Sequence, residues 1–138
     1  MCYKQNQKEL HSWLKCIVKD YKHIFDVLKN DASCEMIIAG TTALGLHGLV
    51  LDKFPEDLDV LLYCPDNVDI EFFKVLTKLY PTGLEDKCSL DISNYKRRSR
   101  KLKINNNIVD FIKIQKHHIL PNYLTLEVEN IVFKIQPV

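Results

Sequence analysis

The stretch from Met36 to Tyr63 constrains this chain more than any other. An apolar run, Met36-Ile-Ile-Ala39, stops at Gly40, and Thr41 and Thr42 precede a helical pattern that opens at Ala43. That order predicts a buried strand, a tight turn and a helix N-terminus. Glycine lets a backbone approach a ligand closely, and a threonine caps a helix while leaving amides exposed. Unpaired N–H groups and the helix dipole then point at one spot, which favours an anion. The short helix carries Ala43, Leu44, Leu46, His47 and Leu49 and ends near Gly48. A loop from Val50 to Glu56 follows, with Pro55 barring helix. The next strand, Leu58 to Tyr63, has Asp57 and Asp59 at its start. Alternation puts both carboxylates on one face and Leu58 and Val60 on the other. Two like charges side by side are costly unless a cation lies between them. A phosphate-cradling turn beside such a pair is equipment for phosphoryl or nucleotidyl transfer.

A third carboxylate stands in a similar setting. In Asn107-Ile-Val-Asp-Phe-Ile-Lys-Ile114, alternation gives Ile108, Asp110, Ile112 and Ile114 a common face. Burying a lone Asp among them costs about a few kcal/mol unless a cation or hydrogen bonds compensate. Asp110 alone would fit an exposed position on a half-covered sheet. Beside the earlier pair, a shared metal site is the better reading. Just upstream, Tyr95-Lys-Arg-Arg-Ser-Arg-Lys-Leu-Lys103 is the strongest charge run. It reads as a solvated strand with Leu102 and Ile104 inward, its charges discouraging edge pairing. The alternative is a surface for phosphate or nucleic acid. Asn105-Asn-Asn107 is a hairpin turn, asparagine tolerating positive φ best after glycine. His117 and His118 follow, but adjacent histidines without partners are poor metal ligands.

The remaining segments read as scaffold. Residues 8 to 30 carry Leu10, Trp13, Leu14, Ile17, Val18, Tyr21, Ile24, Phe25 and Leu28 at gaps of three and four. This is one long amphipathic helix whose stripe packs on a core, ending at the polar Asn30-Asp-Ala-Ser33. His47 could face a nucleotide, but a structural place on the apolar back of its helix is the stronger reading. After a turn at Cys64-Pro-Asp-Asn67, Asp69 caps a helix to Leu79, and Pro81-Thr-Gly83 ends it. Residues 84 to 95 lack a period and read as irregular. Tyr123 to Glu127 and Ile131 to Ile135 read as strands around Val128-Glu-Asn130. The 138 residues form one domain, a helical segment over 1–33 and a sheet core over 34–138. A net charge of +1 creates no global demand for nucleic acid or an acidic membrane. The five cysteines are scattered without metal or redox spacing and read as reduced thiols. With no apolar leader or membrane-length run, a cytoplasmic protein is expected.

The wording Thr42-Ala-Leu-Gly-Leu-His-Gly48 and Pro55-Glu-Asp-Leu-Asp-Val-Leu-Leu62, with Asp110 on a later strand, resembles the DNA polymerase β-like nucleotidyltransferase superfamily. It looks most like the small prokaryotic branch of stand-alone and toxin-type domains, over residues 34 to 136. The resemblance implies a nucleotidyltransferase fold of α/β (α+β) class, a mixed central sheet with helices mainly on one face. It implies that Gly40, Thr41 and Thr42 hold the β- and γ-phosphates of a nucleoside triphosphate. Asp57 and Asp59 would ligate two Mg²⁺ ions, and Asp110 the metal at the acceptor hydroxyl, which it helps to deprotonate. Lys53 is the nearest match to a basic residue that precedes the acidic pair. The implied activity is Mg²⁺-dependent transfer of a nucleotide to a hydroxyl on protein, RNA or a small molecule. A second reading is a catalytically weak module of this fold that binds a nucleotide or a partner protein. A plain metal-dependent hydrolase leaves the Gly40-Thr-Thr42 turn unexplained. Thr41 stands where the family has a second glycine or serine. Larger relatives add helices for substrate contacts, so a second copy or another protein is expected to complete the acceptor side.

Overall fold

The apolar stripe near the N-terminus forms two helices, α1 (Gln7–Asp20) and α2 (Lys22–Asn30), where one was expected. The computed structural model describes residues 7–30, 33–49, 51–63, 85–90, 96–114 and 123–138. The helix expected over 69–79 and the pair His117-His118 lie outside them. Tyr21 stands at the junction of α1 and α2, fully buried, its hydroxyl 2.8 Å from the Leu102 carbonyl oxygen and 2.7 Å from that of Asn107. The Tyr21 carbonyl accepts from both Ile24 and Phe25, a tighter turn laid over the ordinary helical bond. Periodicity runs through this joint without a fault, so the pattern of apolar residues alone does not reveal it.

Among the described residues seven strands form one sheet: β1 (Glu35–Ala39), β2 (Asp57–Tyr63), β3 (Glu85–Leu90), β4 (Lys96–Ile104), β5 (Asn107–Lys113), β6 (Leu124–Val128) and β7 (Ile131–Ile135). Their order across the sheet is β3-β4-β5-β2-β1-β7-β6. A third helix, α3 (Gly40–Leu46), joins β1 to the antiparallel β2. Strands β5 and β7 lie parallel to β2 and β1, and the β4–β5 and β6–β7 hairpins are antiparallel. The sheet is therefore mixed, as expected. Both hairpins turn on two residues of positive φ, Asn105 and Asn106 in one, Glu129 and Asn130 in the other. That geometry matches the right-handed twist of the flanking strands. Glu85–Leu90, expected to be irregular, is a strand. Its residues do not alternate, and it is drawn into the sheet by backbone pairing with β4.

The main core cluster lies on one face of the sheet, while Ile37 and Ile112 are buried on the other. Met36 and Ile38, Leu58, Val60 and Leu62, Val109 and Phe111, and Ile131, Phe133 and Ile135 form a single cluster with Leu14, Ile17, Val18, Tyr21, Ile24, Phe25 and Leu28 of the helices. Ala43 of α3 joins the same cluster, so all the described helices lie to this side. Phe25 is the wedge, its ring 5.2 Å from that of Phe133 and 5.8 Å from that of Phe111. Aromatic pairs at such spacing contribute beyond the area they bury. The reduced-thiol expectation is corrected at Cys34, which is disulfide-bonded, whereas Cys16 is a free, exposed thiol. Among the described residues no helix is long and apolar enough to cross a membrane.

The Tyr21 hydroxyl joins the helix junction to the β4–β5 hairpin, 81 and 86 residues away in sequence. Tyr21→Phe removes that link and little else. It is expected to lower stability by about 1–2 kcal/mol, seen in urea as an earlier midpoint at an unchanged slope.

Candidate active site

The carboxylate face is a consequence of the core on its back. Leu58, Val60 and Leu62 are all fully buried, which forces Asp57 and Asp59 to the opposite side of β2. On β5, Val109 and Phe111 are fully buried and force Asp110 the same way. The parallel β2–β5 pairing sets Asp59 opposite Asp110, Val60 opposite Phe111 and Asp57 opposite Ile108. Neighbouring strands lie about 4.8 Å apart, so Asp59 and Asp110 stand side by side. The three carboxylates singled out in the sequence thus share one face of two adjacent strands, all half-buried. Asp59 and Asp110 each engage further groups. The Oδ1 atom of Asp110 is buried and accepts no hydrogen bond from the described residues.

The turn into α3 closes one end of this face. Ala39 pairs with Asp59, so the end of β1 runs alongside that carboxylate. Gly40 then takes φ +65° and α3 starts at once, with Ala39 extended at its cap position and no side chain capping it. The helix therefore begins three residues before the expected Ala43, and neither threonine is its cap. A single glycine in the left-handed region turns strand into helix without one. A Cβ at Gly40 would lie 2.5 Å from Asp59 Oδ2, so the bare glycine is what gives that carboxylate its room. Thr41 is exposed, while Thr42 is buried and directs its hydroxyl at the Asp57 carbonyl, 3.5 Å away. Gly40 N–H faces Gln136 Oε1 at 3.4 Å. His47 Nε2 lies 2.8 Å from the Gln136 carbonyl oxygen, at the surface.

The lysine that reaches an aspartate is not Lys53. Lys53 projects into solvent and pairs with Glu56 at 3.3 Å. Lys101, from the basic run, stands opposite Asp110 across the β4–β5 ladder and places Nζ 3.9 Å from Asp57 Oδ2. Counting back from the Asn105-Asn106 turn pairs position 101 with 110, so the hairpin's own sequence already implies this neighbour. Gln136 carries no such signal.

Among the described residues no three His, Cys, Asp or Glu side chains converge as a ready-made metal cage. Mg²⁺ seldom needs one: it keeps several waters and is held by one or two carboxylates together with substrate phosphates. Asp59 and Asp110 fit that demand. They offer hard oxygen donors from paired positions, and Gly40 leaves open the space beside Asp59 that a Cβ would fill. Asp57 is already matched by Lys101.

No family model matches this sequence, and no curated protein matches it significantly. Among solved structures, an antigenic nucleotidyltransferase-like protein from Paracoccidioides brasiliensis superposes with a TM-score of 0.48 at 14% identity. The alignment covers 98% of this chain and 62% of that one, so this chain spans less than two thirds of its neighbour's length.

Gly40→Ala places a methyl group against Asp59 and an L-residue at φ +65°. The backbone conformation alone is expected to cost about 1–2 kcal/mol, with displacement of the Asp59 carboxylate in addition. Thermal or urea unfolding of the variant checks this, and wild-type stability would show that the turn relaxes freely.

Proposed function

We propose that this domain is a metal-dependent nucleotidyltransferase that moves a nucleotide from a nucleoside triphosphate to a hydroxyl acceptor. One observation carries the reading: Asp59 and Asp110 stand in register on parallel neighbouring strands, with Asp57 two residues away on the same face. Apolar packing on the far side of both strands leaves these carboxylates no other orientation. Like charges this close favour a divalent cation among them. The Gly40 turn, directly beside Asp59, adds a place where backbone can come close to a phosphate.

In this reading Asp59 and Asp110 hold Mg²⁺, with Asp57 as a further ligand where a second ion is taken up. When bound, the metal lowers the pKa of an attacking hydroxyl and offsets charge on the leaving pyrophosphate. Asp110 lies on the acceptor side and receives the proton of that hydroxyl. Gly40 and Thr41 line the phosphates, Gly40 by its missing side chain and Thr41 by an exposed hydroxyl, while the buried Thr42 supports the Asp57 carbonyl from behind. Lys53 is free to swing to the phosphate tail only by leaving Glu56, an exposed pair of little strength. The acceptor belongs to a protein, an RNA or a small molecule, presented by a second copy of the chain or by another protein.

The second reading, a module of this kind that binds nucleotide or a partner protein without catalysis, draws on the Lys101–Asp57 pair, since a lysine there already supplies a positive charge. The two part company in one titration. Each nucleoside triphosphate is titrated calorimetrically into the protein with and without Mg²⁺, beside an Asp59→Asn variant. Binding that requires Mg²⁺ and is abolished in the variant, with the unfolding midpoint unchanged or raised, is the expected outcome. Metal-independent binding that survives Asp59→Asn would favour the module, and no binding at all would remove nucleotide from the proposal.

A further inference from the structure

Lys101 occupies an unusual station. It lies on β4, whereas the carboxylate it meets, Asp57, lies on β2, with β5 between them. Two strand spacings are about 9.6 Å, so the lysine must cross the surface of β5 to come within 3.9 Å of Asp57 Oδ2. Its path starts beside Asp110, its partner across the β4–β5 ladder, and ends at the residue opposite Ile108. The ammonium is thereby carried over the same face that presents Asp59 and Asp110. Only about a third of each side chain in the pair is exposed, 36% for Lys101 and 37% for Asp57. Screening by solvent is correspondingly less than at a fully exposed pair.

Resting on the nucleotidyltransferase reading above, we propose that Lys101 has two opposed effects, as a resident cation that competes with metal at Asp57 and as a phosphate contact once a triphosphate arrives. Before ligand binds, its charge repels a divalent ion from Asp57 and partly offsets the three carboxylates. When a triphosphate reaches the face, the flexible four-carbon stem lets the ammonium leave Asp57 for phosphate oxygens. Asp57 is released by the same movement, so phosphate and metal enter in a coupled way. A lysine whose charge lay away from this face would shift neither affinity when removed.

The full chain is tested with two probes, Mn²⁺ alone and inorganic tripolyphosphate alone, each titrated into wild type, Lys101→Met and Lys101→Arg. Lys101→Met is expected to bind Mn²⁺ about three- to tenfold more tightly and tripolyphosphate about three- to tenfold more weakly. Lys101→Arg, which keeps the charge, is expected to follow wild type on both probes. Mn²⁺ uptake by Lys101→Met and none by wild type would be the same effect in its strongest form. Mn²⁺ binding of equal strength in wild type and Lys101→Met overturns the inference and leaves the carboxylate site standing. A loss of both affinities together assigns Lys101 a structural role and overturns it as well. No Mn²⁺ binding by either protein, even with tripolyphosphate present, overturns the carboxylate-site reading, and this inference with it.

Discussion

The register between β2 and β5 is the constraint on which the rest of the structure depends. It is set from behind: Val60 faces Phe111, and both lie in the cluster that Phe25 and Tyr21 close from the helices. A slip of one residue would send Phe111 to the outer face and Asp110 into the core, and burying that carboxylate among aromatic rings would cost far more than any new pairing returned. Apolar burial therefore places the charged residues without touching them. The same logic applies on β1, where Ile38 in the core leaves Ala39 beside Asp59 and hands the chain to Gly40 at the right spot.

This arrangement puts the main apolar cluster on the face opposite the carboxylates, while Ile37 and Ile112 are buried on the carboxylate face itself. Three carboxylates crowded on two strands work against folding, a cost that the Lys101 ammonium beside Asp57 offsets in part. The cluster of helices and strands on the other face can carry this burden because its members do not take part in the site. Tyr21 ties the two halves by a polar group, since its hydroxyl meets backbone carbonyls at both ends of the segment between Leu102 and Asn107. That segment is the turn of the β4–β5 hairpin, whose two arms carry Lys101 and Asp110. Asp20, next to Tyr21, accepts from the side chains of Asn105 and Asn107 and reinforces the same joint.

Much of the face was legible in the sequence because alternation is a local property. Asp57 and Asp59 had to share a side, Asp110 had to differ from Val109 and Phe111, and the asparagines at 105 and 106 had to turn. What stayed hidden was long-range or free of side-chain signal. No local pattern says that β2 and β5, far apart along the chain, lie side by side in parallel with Asp59 against Asp110. The strand at Glu85–Leu90 has no alternation because its place at the sheet edge is set by its neighbour's backbone. The break at Tyr21 keeps the helical phase and so leaves no mark. Thr41 and Thr42 looked like caps because threonine caps many helices, but Gly40 at positive φ makes the turn alone.

Lys53 and Lys101 show why proximity in sequence is a poor guide to electrostatics. Lys53 lies shortly before Asp57 in the chain yet pairs outward with Glu56, since the loop that carries it has solvent on its outer side and nothing compels the side chain inward. Lys101 lies far along the chain yet is delivered to the carboxylates by a two-residue turn and a ladder that admits one register. A charge on a loop must find its partner against side-chain entropy, whereas a charge on a paired strand has most of that ordering done by the backbone. Where a sheet presents crowded carboxylates, the cation that matters to them is therefore to be sought across the strands, at the paired and diagonal positions, before it is sought along the chain.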